Sequence, residues 1–311
     1  MLAPICLFTY NRLKETQQTI AALQQNDLAA QSELLIFSDG PKNENVRPSV
    51  AEVREFLKTI SGFQSVQIME SPENKGLANS IISGVTQVIK QYGKIIVIED
   101  DLITTPNFLH FMNEALDFYK SDKTIQSING FTPHIKKNKE DVYFQIRPFS
   151  WGWATWGDRW DKEIFDKKKI CVEIDSDKTI LTNLKKTCGD DIPKMLMDSL
   201  QQKNNSWYVR WVYDHFKNQK YSVYPSSSFI SNIGFGENST HCKGINSYVS
   251  QSVDIEKTEF KFKDFDFPDS SISKEFLKNF SFINKLKLRV QLLGSKTGRN
   301  ELLSELKIRI H

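Results

Sequence analysis

The chain has 311 residues, 39% hydrophobic and 25% charged, with a net charge of +3. That is the composition of an ordinary soluble globular protein of one large or two small domains. So small a charge gives no argument for nucleic acid, and no apolar run reaches the ~18 residues of a membrane span.

The first hundred residues alternate strand and helix. Residues 5–8 (ICLF) form a short apolar run that ends in the polar turn TYNR, with Asn11 and Arg12. A helical stretch follows, with Ile20 and Leu23 on its apolar side. Residues 34–37 (LLIF) are a second strand, closed by Asp39, Gly40 and Pro41. A helix over about 49–59 carries Val50, Val53 and Leu57. Residues 66–69 (VQIM) make a third strand, and a third helix carries Leu77, Ile81, Val85, Val88 and Ile89. The fourth strand, 95–98 (IIVI), runs straight into Glu99, Asp100 and Asp101. This rhythm predicts an α/β fold with a mostly parallel sheet between helices. Its continuous apolar strands predict burial on both faces.

In such sheets ligands bind at the carboxyl ends of the strands. Three polar clusters fall at those ends: Asn11–Arg12, Asp39, and the Glu99–Asp101 triplet. Nucleotide phosphates suit such a rim, but carboxylates repel them unless a divalent cation stands between, so Mg²⁺ or Mn²⁺ is the expected cofactor. The chain has no GxxxxGK[ST] loop and no GxGxxG after its first strand, which excludes P-loop and dinucleotide readings.

Thr105 and Pro106 predict the next helix start, with Thr as cap and Pro at the first position. Phe108, Met112, Ala115 and Tyr119 mark its buried side. Beyond Gly130 the alternation stops. Residues 131–245 read as an elaboration of short strands, loops and tryptophan-rich segments. Residues 246–311 read as a basic, partly helical extension: 274–311 hold nine Lys/Arg against three Glu, a charge of +6 that leaves −3 for the rest. Basic residues interleaved with Leu, Ile and Phe over 276–293 suggest an amphipathic helix at an anionic membrane surface, or one packed on the domain. Cys6, Cys171, Cys188 and Cys242 show no zinc or CxxC spacing, and the start MLAPICLFTYNR shows no signal peptide. A reduced cytoplasmic setting, peripheral on the inner membrane face, is the expectation.

The order strand–Asn-Arg, strand–Asp, strand–VIEDDL, followed by Pro106-Asn-Phe108, resembles the GT-A glycosyltransferases. It is similar to the N-acetylglucosaminyltransferase I type and to related bacterial polysaccharide transferases, over about residues 3–240. The segment SWGWATW (150–156) resembles that family's acceptor-side loop. The resemblance implies transfer of a sugar from a UDP-sugar to a saccharide or lipid-linked saccharide, with residues 1–130 binding the nucleotide-sugar and 131–245 forming the acceptor half of the same domain. It implies Asp101 as direct metal ligand, Asp100 near the ribose, Glu99 near the donor sugar, Asp39 accepting from the uracil ring, and Arg12 pairing with the diphosphate. His241 is a further candidate metal ligand from a closing loop.

The family's catalytic base has no counterpart by position, because no acid lies between Trp207 and Trp211. A helix over 207–219 would put Trp207, Trp211, Asp214 and Asn218 on one face, which makes Asp214 a candidate base. An Arg210–Asp214 pair is the structural alternative. Asp158 is the second candidate base. Trp151, Trp153, Trp207 and Trp211 are candidate sugar-stacking faces. Two other classes compete: a non-catalytic nucleotide-sugar or carbohydrate-binding module, and a sugar nucleotidyltransferase, which should carry a Gly-rich loop where the chain has TYNRL.

Overall fold

The computed structural model of the chain describes residues 1–135, 140–234, 253, 255–294, 298, 299 and 302. The alternation of the first hundred residues is present: β1 (Ile5–Thr9), α1 (Leu13–Gln24), β2 (Glu33–Ser38), α2 (Arg47–Leu57), β3 (Ser65–Glu70), α3 (Leu77–Tyr92) and β4 (Lys94–Glu99). β1 shows why. Ile5 and Leu7 face one hydrophobic core with Ile20 of α1 and Val53 of α2, while Cys6 and Phe8 face another with Val85 and Val88 of α3. A strand with apolar neighbours on both sides needs no alternation. β3 departs from the expectation. It is the edge of the sheet, and its residues are half-buried or exposed rather than covered on both faces.

After the triplet the chain does not enter a helix at once. It forms a short strand, β5 (Leu102–Thr104), and α4 (Phe108–Phe118) begins two residues later than expected, with Asn107 at its cap position. Thr105 is not the cap: its hydroxyl donates to Asn107 Oδ1 at 2.6 Å. The remaining elements are β6 (Ile125–Asn129), β7 (Val142–Gln145), β8 (Trp153–Trp156), α5 (Lys167–Ser176), α6 (Ile180–Cys188), α7 (Ile192–Leu200), α8 (Trp207–Lys217), β9 (Tyr221–Pro225), β10 (Ile230–Asn232), α9 (Ser270–Lys278) and α10 (Phe282–Leu293).

The main sheet has eight strands in the order β3-β2-β1-β4-β8-β6-β9-β7, and β5 pairs with β10. β1 to β4 are parallel, as are β6 and β9, whereas β8 and β7 run against their neighbours. This is a mostly parallel α/β sheet flanked by helices, continuous across residue 130 because β8 bridges β4 and β6. The elaboration holds more helix than expected. α5, α6 and α7 pack around Ile170, Ile174, Leu184, Ile192 and Leu196 and close on Val209 and Val212 of α8. The C-terminal extension is helical and docks on the body. Phe276 and Phe280 are buried, and Phe260, Phe262 and Phe265 line the core from the segment before α9.

Candidate active site

Register brings the polar strand ends together. Thr9 pairs with Ser38 and Phe8 with Glu99, so the residues just past β1, β2 and β4 stand level on one rim. Arg12 Nη2 donates to a carboxylate oxygen of Asp100 and to Asp101 Oδ2, the latter at 3.0 Å. Tyr10 N–H donates to Asp100 Oδ2 at 3.3 Å. Among the described residues, the Nε and Nη1 donors of Arg12 make no hydrogen bond. The guanidinium therefore clamps two carboxylates with one nitrogen and keeps its other donors in hand.

Burial sets the protonation of this rim. It opposes charge on Arg12, but Asp100 and Asp101 outweigh it and hold the guanidinium protonated well above its ordinary range. At Asp100 burial wins over Arg12 and raises the carboxyl to about 6. The pair is thus charged on both sides at neutral pH. Glu99 is pushed up to about 8, by burial first and then by Asp101 and Asp100, with Arg12 opposing.

Asp101 carries the atom that asks for a ligand. Its Oδ1 is buried and has no hydrogen-bond partner among the described residues, a costly state for a carboxylate oxygen. Asp101 itself is 7% exposed. Its backbone carbonyl accepts from Ile233 N–H at 2.9 Å, and Gly234 lies against its carboxylate so closely that a Cβ there would sit 1.9 Å from Oδ2. A hard divalent cation that takes one carboxylate oxygen from the protein fits these residues. Among the described residues no three His, Cys, Asp or Glu cluster to cage a metal. His241, the other candidate metal ligand, lies outside the described residues. Thr9 Oγ1, at the end of β1, is a second buried polar atom without a partner; the sequence reading missed it because a threonine in an apolar strand carries no signal.

Asp39, the residue expected beside the uracil ring, is held by donors of its own neighbourhood. Its Oδ1 accepts from Gly40 N–H at 2.9 Å and Lys75 N–H at 2.8 Å, and its Oδ2 from Gly76 N–H at 2.9 Å and Asn74 Nδ2 at 3.1 Å. A carboxylate offers about four lone-pair sites, and these four donors match that number. Asp39 ties the loop before α3 to the end of β2. Gly40 is required there: a Cβ would sit 2.5 Å from the Glu73 carbonyl carbon. Arg54 of α2 braces the same turn, donating to the carbonyls of Ser38, Asp39 and Ser71. An Arg in an otherwise amphipathic helix, facing a strand end, was the available signal.

Both candidate bases stand at the amino rim of the sheet. The helix face expected for Asp214 is present, and Asn218 Nδ2 donates to Asp214 Oδ1 at 2.8 Å. The Arg210–Asp214 pair does not form; Arg210 donates to the carbonyls of Ser206 and Phe165. Asp214 Oδ2 accepts from Gln126 Nε2 at 2.6 Å, and Gln126 opens β6. Ile128 and Ile96 both pair with Ala154, which places Gln126 level with Lys94, at the amino end of β4. Five residues of strand, roughly 16 Å, separate that level from Glu99. Asp158 follows Trp156, which pairs with Lys94, so it shares the amino rim, where Lys123 and Arg159 hold it.

Three of the four candidate tryptophans pack on one another. Trp153 and Trp211 are fully buried and Trp207 nearly so. Their ring centroids lie 4.2 to 5.6 Å apart, so their faces are spent on one another between α8 and the sheet rather than offered to a sugar. Trp151 is separate, packed on Phe131 and Phe149 next to Gly152.

Residues 5–177 match the family model described as Glycosyl transferase family 2. Solved structures with similar chains include a mannosyltransferase, PcManGT, from Pyrobaculum calidifontis in complex with GDP-Man and Mn²⁺, at 11% identity and a TM-score of 0.36, covering 50% of this chain and 44% of that one. TarS from S. aureus is similar at 12% identity and a TM-score of 0.38, covering 53% and 31%. The matched stretch thus spans less than half the length of either protein. No curated protein matches the chain.

Proposed function

The chain belongs to glycosyl transferase family 2, and on that premise we propose that it moves a sugar from a nucleoside diphosphate donor, UDP-linked in the first instance, to a saccharide or lipid-linked saccharide with the help of Mn²⁺ or Mg²⁺. The observation that carries this reading is the bare Asp101 Oδ1 beside the Arg12–Asp100 pair. Arg12 holds Asp100 and Asp101 in place and turns its unspent donors toward the rim, where they suit diphosphate oxygens. Asp39 shapes the loop beside them. Trp151, two residues before β8 and packed on Phe131 and Phe149 with 8% of it exposed, is kept as the candidate for an acceptor ring. A bound divalent ion would offset the charge that collects on the leaving diphosphate.

Calorimetric titration of UDP and GDP, each with and without Mn²⁺, tests the reading. UDP is expected to bind only with the metal, and Asp101→Asn is expected to remove that dependence. Equal UDP binding with and without Mn²⁺ overturns the metal assignment, and tighter GDP binding overturns the uridine one. One observation favours a non-catalytic module, namely that both candidate bases lie on the far rim; release of UDP from a UDP-sugar mixed with saccharide acceptors decides against it.

A further inference from the structure

α10 leaves an apolar stripe facing outward. Phe282 is 70% exposed, Ile283 66%, Leu286 52%, Val290 60% and Leu293 55%. At 3.6 residues per turn the five fall in one sector about 100° wide. Lys287 borders it on one side and Arg289 on the other. Globular proteins rarely leave so continuous a row uncovered.

The helix is held firmly. Ser281 caps it by accepting from Asn284 N–H at 3.2 Å, and Phe282 N–H donates to Asp190 Oδ2 at 3.1 Å. Just before it, Phe280 is buried under the Arg147 guanidinium, 3.6 Å from the ring centroid. Phe280 packs on Phe149 at 6.2 Å and Phe149 on Trp151 at 5.2 Å.

Charge chooses the occupant. Residues 276–300 hold six Lys/Arg and no Asp or Glu. A second copy docked on this stripe about a twofold axis would set basic flank against basic flank. An anionic lipid surface complements both features, because acyl chains take the stripe and phosphate headgroups take the flanks.

We propose that α10 seats the protein on an anionic membrane surface, with Phe282, Ile283, Leu286, Val290 and Leu293 in the acyl boundary and Lys287 at headgroup phosphates. No described helix is long and apolar enough to cross a membrane, so the attachment is one of lying on the surface. It goes beyond the transfer reading and stands without it, since it needs no donor. The test is cosedimentation of the full chain with vesicles of phosphatidylcholine alone or mixed with phosphatidylglycerol. Mixed vesicles are expected to bind at least about tenfold more tightly, with the preference falling as salt rises. Lys287→Glu is expected to weaken binding by about fivefold or more. Leu286→Glu with Val290→Glu should abolish it at unchanged melting temperature, because both side chains are exposed. Equal binding to both vesicle types, or binding unchanged in the double variant, overturns the proposal. So does a self-association that the double variant abolishes while vesicles are ignored, which would make the stripe a contact between copies.

Discussion

The two rims of the sheet carry carboxylates of similar burial and opposite condition. At the amino rim Asp214 is nine-tenths covered, and each of its oxygens accepts a hydrogen bond from an amide, Gln126 or Asn218. At the carboxyl rim Asp101 is covered to the same degree, yet one of its oxygens has no hydrogen-bond partner among the described residues. Burial alone therefore does not mark a site. A buried acid whose bonds are complete is structure, while a buried acid with an empty lone pair is costly unless a ligand completes it.

The largest effect should come from breaking the carboxyl rim. Asp101→Asn is expected to lower sugar transfer by on the order of a hundredfold or more while leaving the melting temperature unchanged or higher, since it removes one of two carboxylates crowded on Arg12. Turnover assays beside thermal unfolding check this. A variant that loses stability and activity together would place Asp101 with Asp214 as structure.

Asp39 sharpens the contrast from within the same rim, because both of its oxygens accept hydrogen bonds where Asp101 Oδ1 accepts none among the described residues. Asp39→Ala removes the acceptor of four hydrogen bonds and should cost about 3 kcal/mol of stability, read by chemical denaturation. Its effect on nucleotide affinity should follow the loosened loop and weaken UDP and GDP alike. Selective loss of UDP would point to a direct contact with the base.

The amino rim offers a pH test. His215 is buried on α8 with Nδ1 against the Trp211 carbonyl at 2.9 Å and Nε2 against the Ser127 hydroxyl at 3.2 Å. Burial lowers it to about 3, with the Trp211 carbonyl opposing. Its folded value lies below its ordinary 6.5, so the stability it contributes is present above that pH and is lost as pH falls from there toward 3. The slope should be about 1.4 kcal/mol per pH unit, or roughly 2 kcal/mol at pH 5. Denaturation at pH 7.5, 6 and 5 measures it. His215→Gln should flatten the slope whatever it does to the baseline, and a slope unchanged in the variant would assign the loss to other groups.

What the sequence made legible follows the same division. The rim elements were readable because apolar runs such as LLIF and IIVI stop abruptly at acids, and the strand-end rule then locates a site. The Arg12–Asp100 clamp was not readable, since it depends on β1 lying beside β4 across 88 positions of chain. Helical periodicity gave the correct face for Asp214 but not its end of the sheet, because a helical wheel fixes rotation and says nothing of where along a strand the helix rests. The same periodicity placed Trp207 and Trp211 together and could not tell a sugar platform from a core. α5 to α7 were missed although Ile170 and Ile174, Leu184 and Cys188, and Ile192, Leu196 and Leu200 stand at fourfold spacing. The Lys-rich sequence between those apolar positions hid them.

The smallest effect is expected at Asp214, and it is the one that would break the comparison. Were Asp214 the base, Asp214→Asn would cost turnover about a hundredfold or more. Its position, level with Lys94, predicts instead turnover within about twofold of the native chain. Burial raises its carboxyl above the ordinary range, against the Gln126 and Asn218 bonds, so the charge is held there at some expense to the fold. An amide keeps the shape and removes that expense, but it turns one acceptor into a donor that faces the amide of Gln126 or Asn218. The two changes oppose each other, and the net shift in stability should stay within about 1 kcal/mol. Turnover and denaturation on this one variant separate the outcomes. A hundredfold loss at unchanged stability would bring the amino rim into the chemistry, whereas near-native turnover leaves the carboxyl rim as the place where transfer occurs.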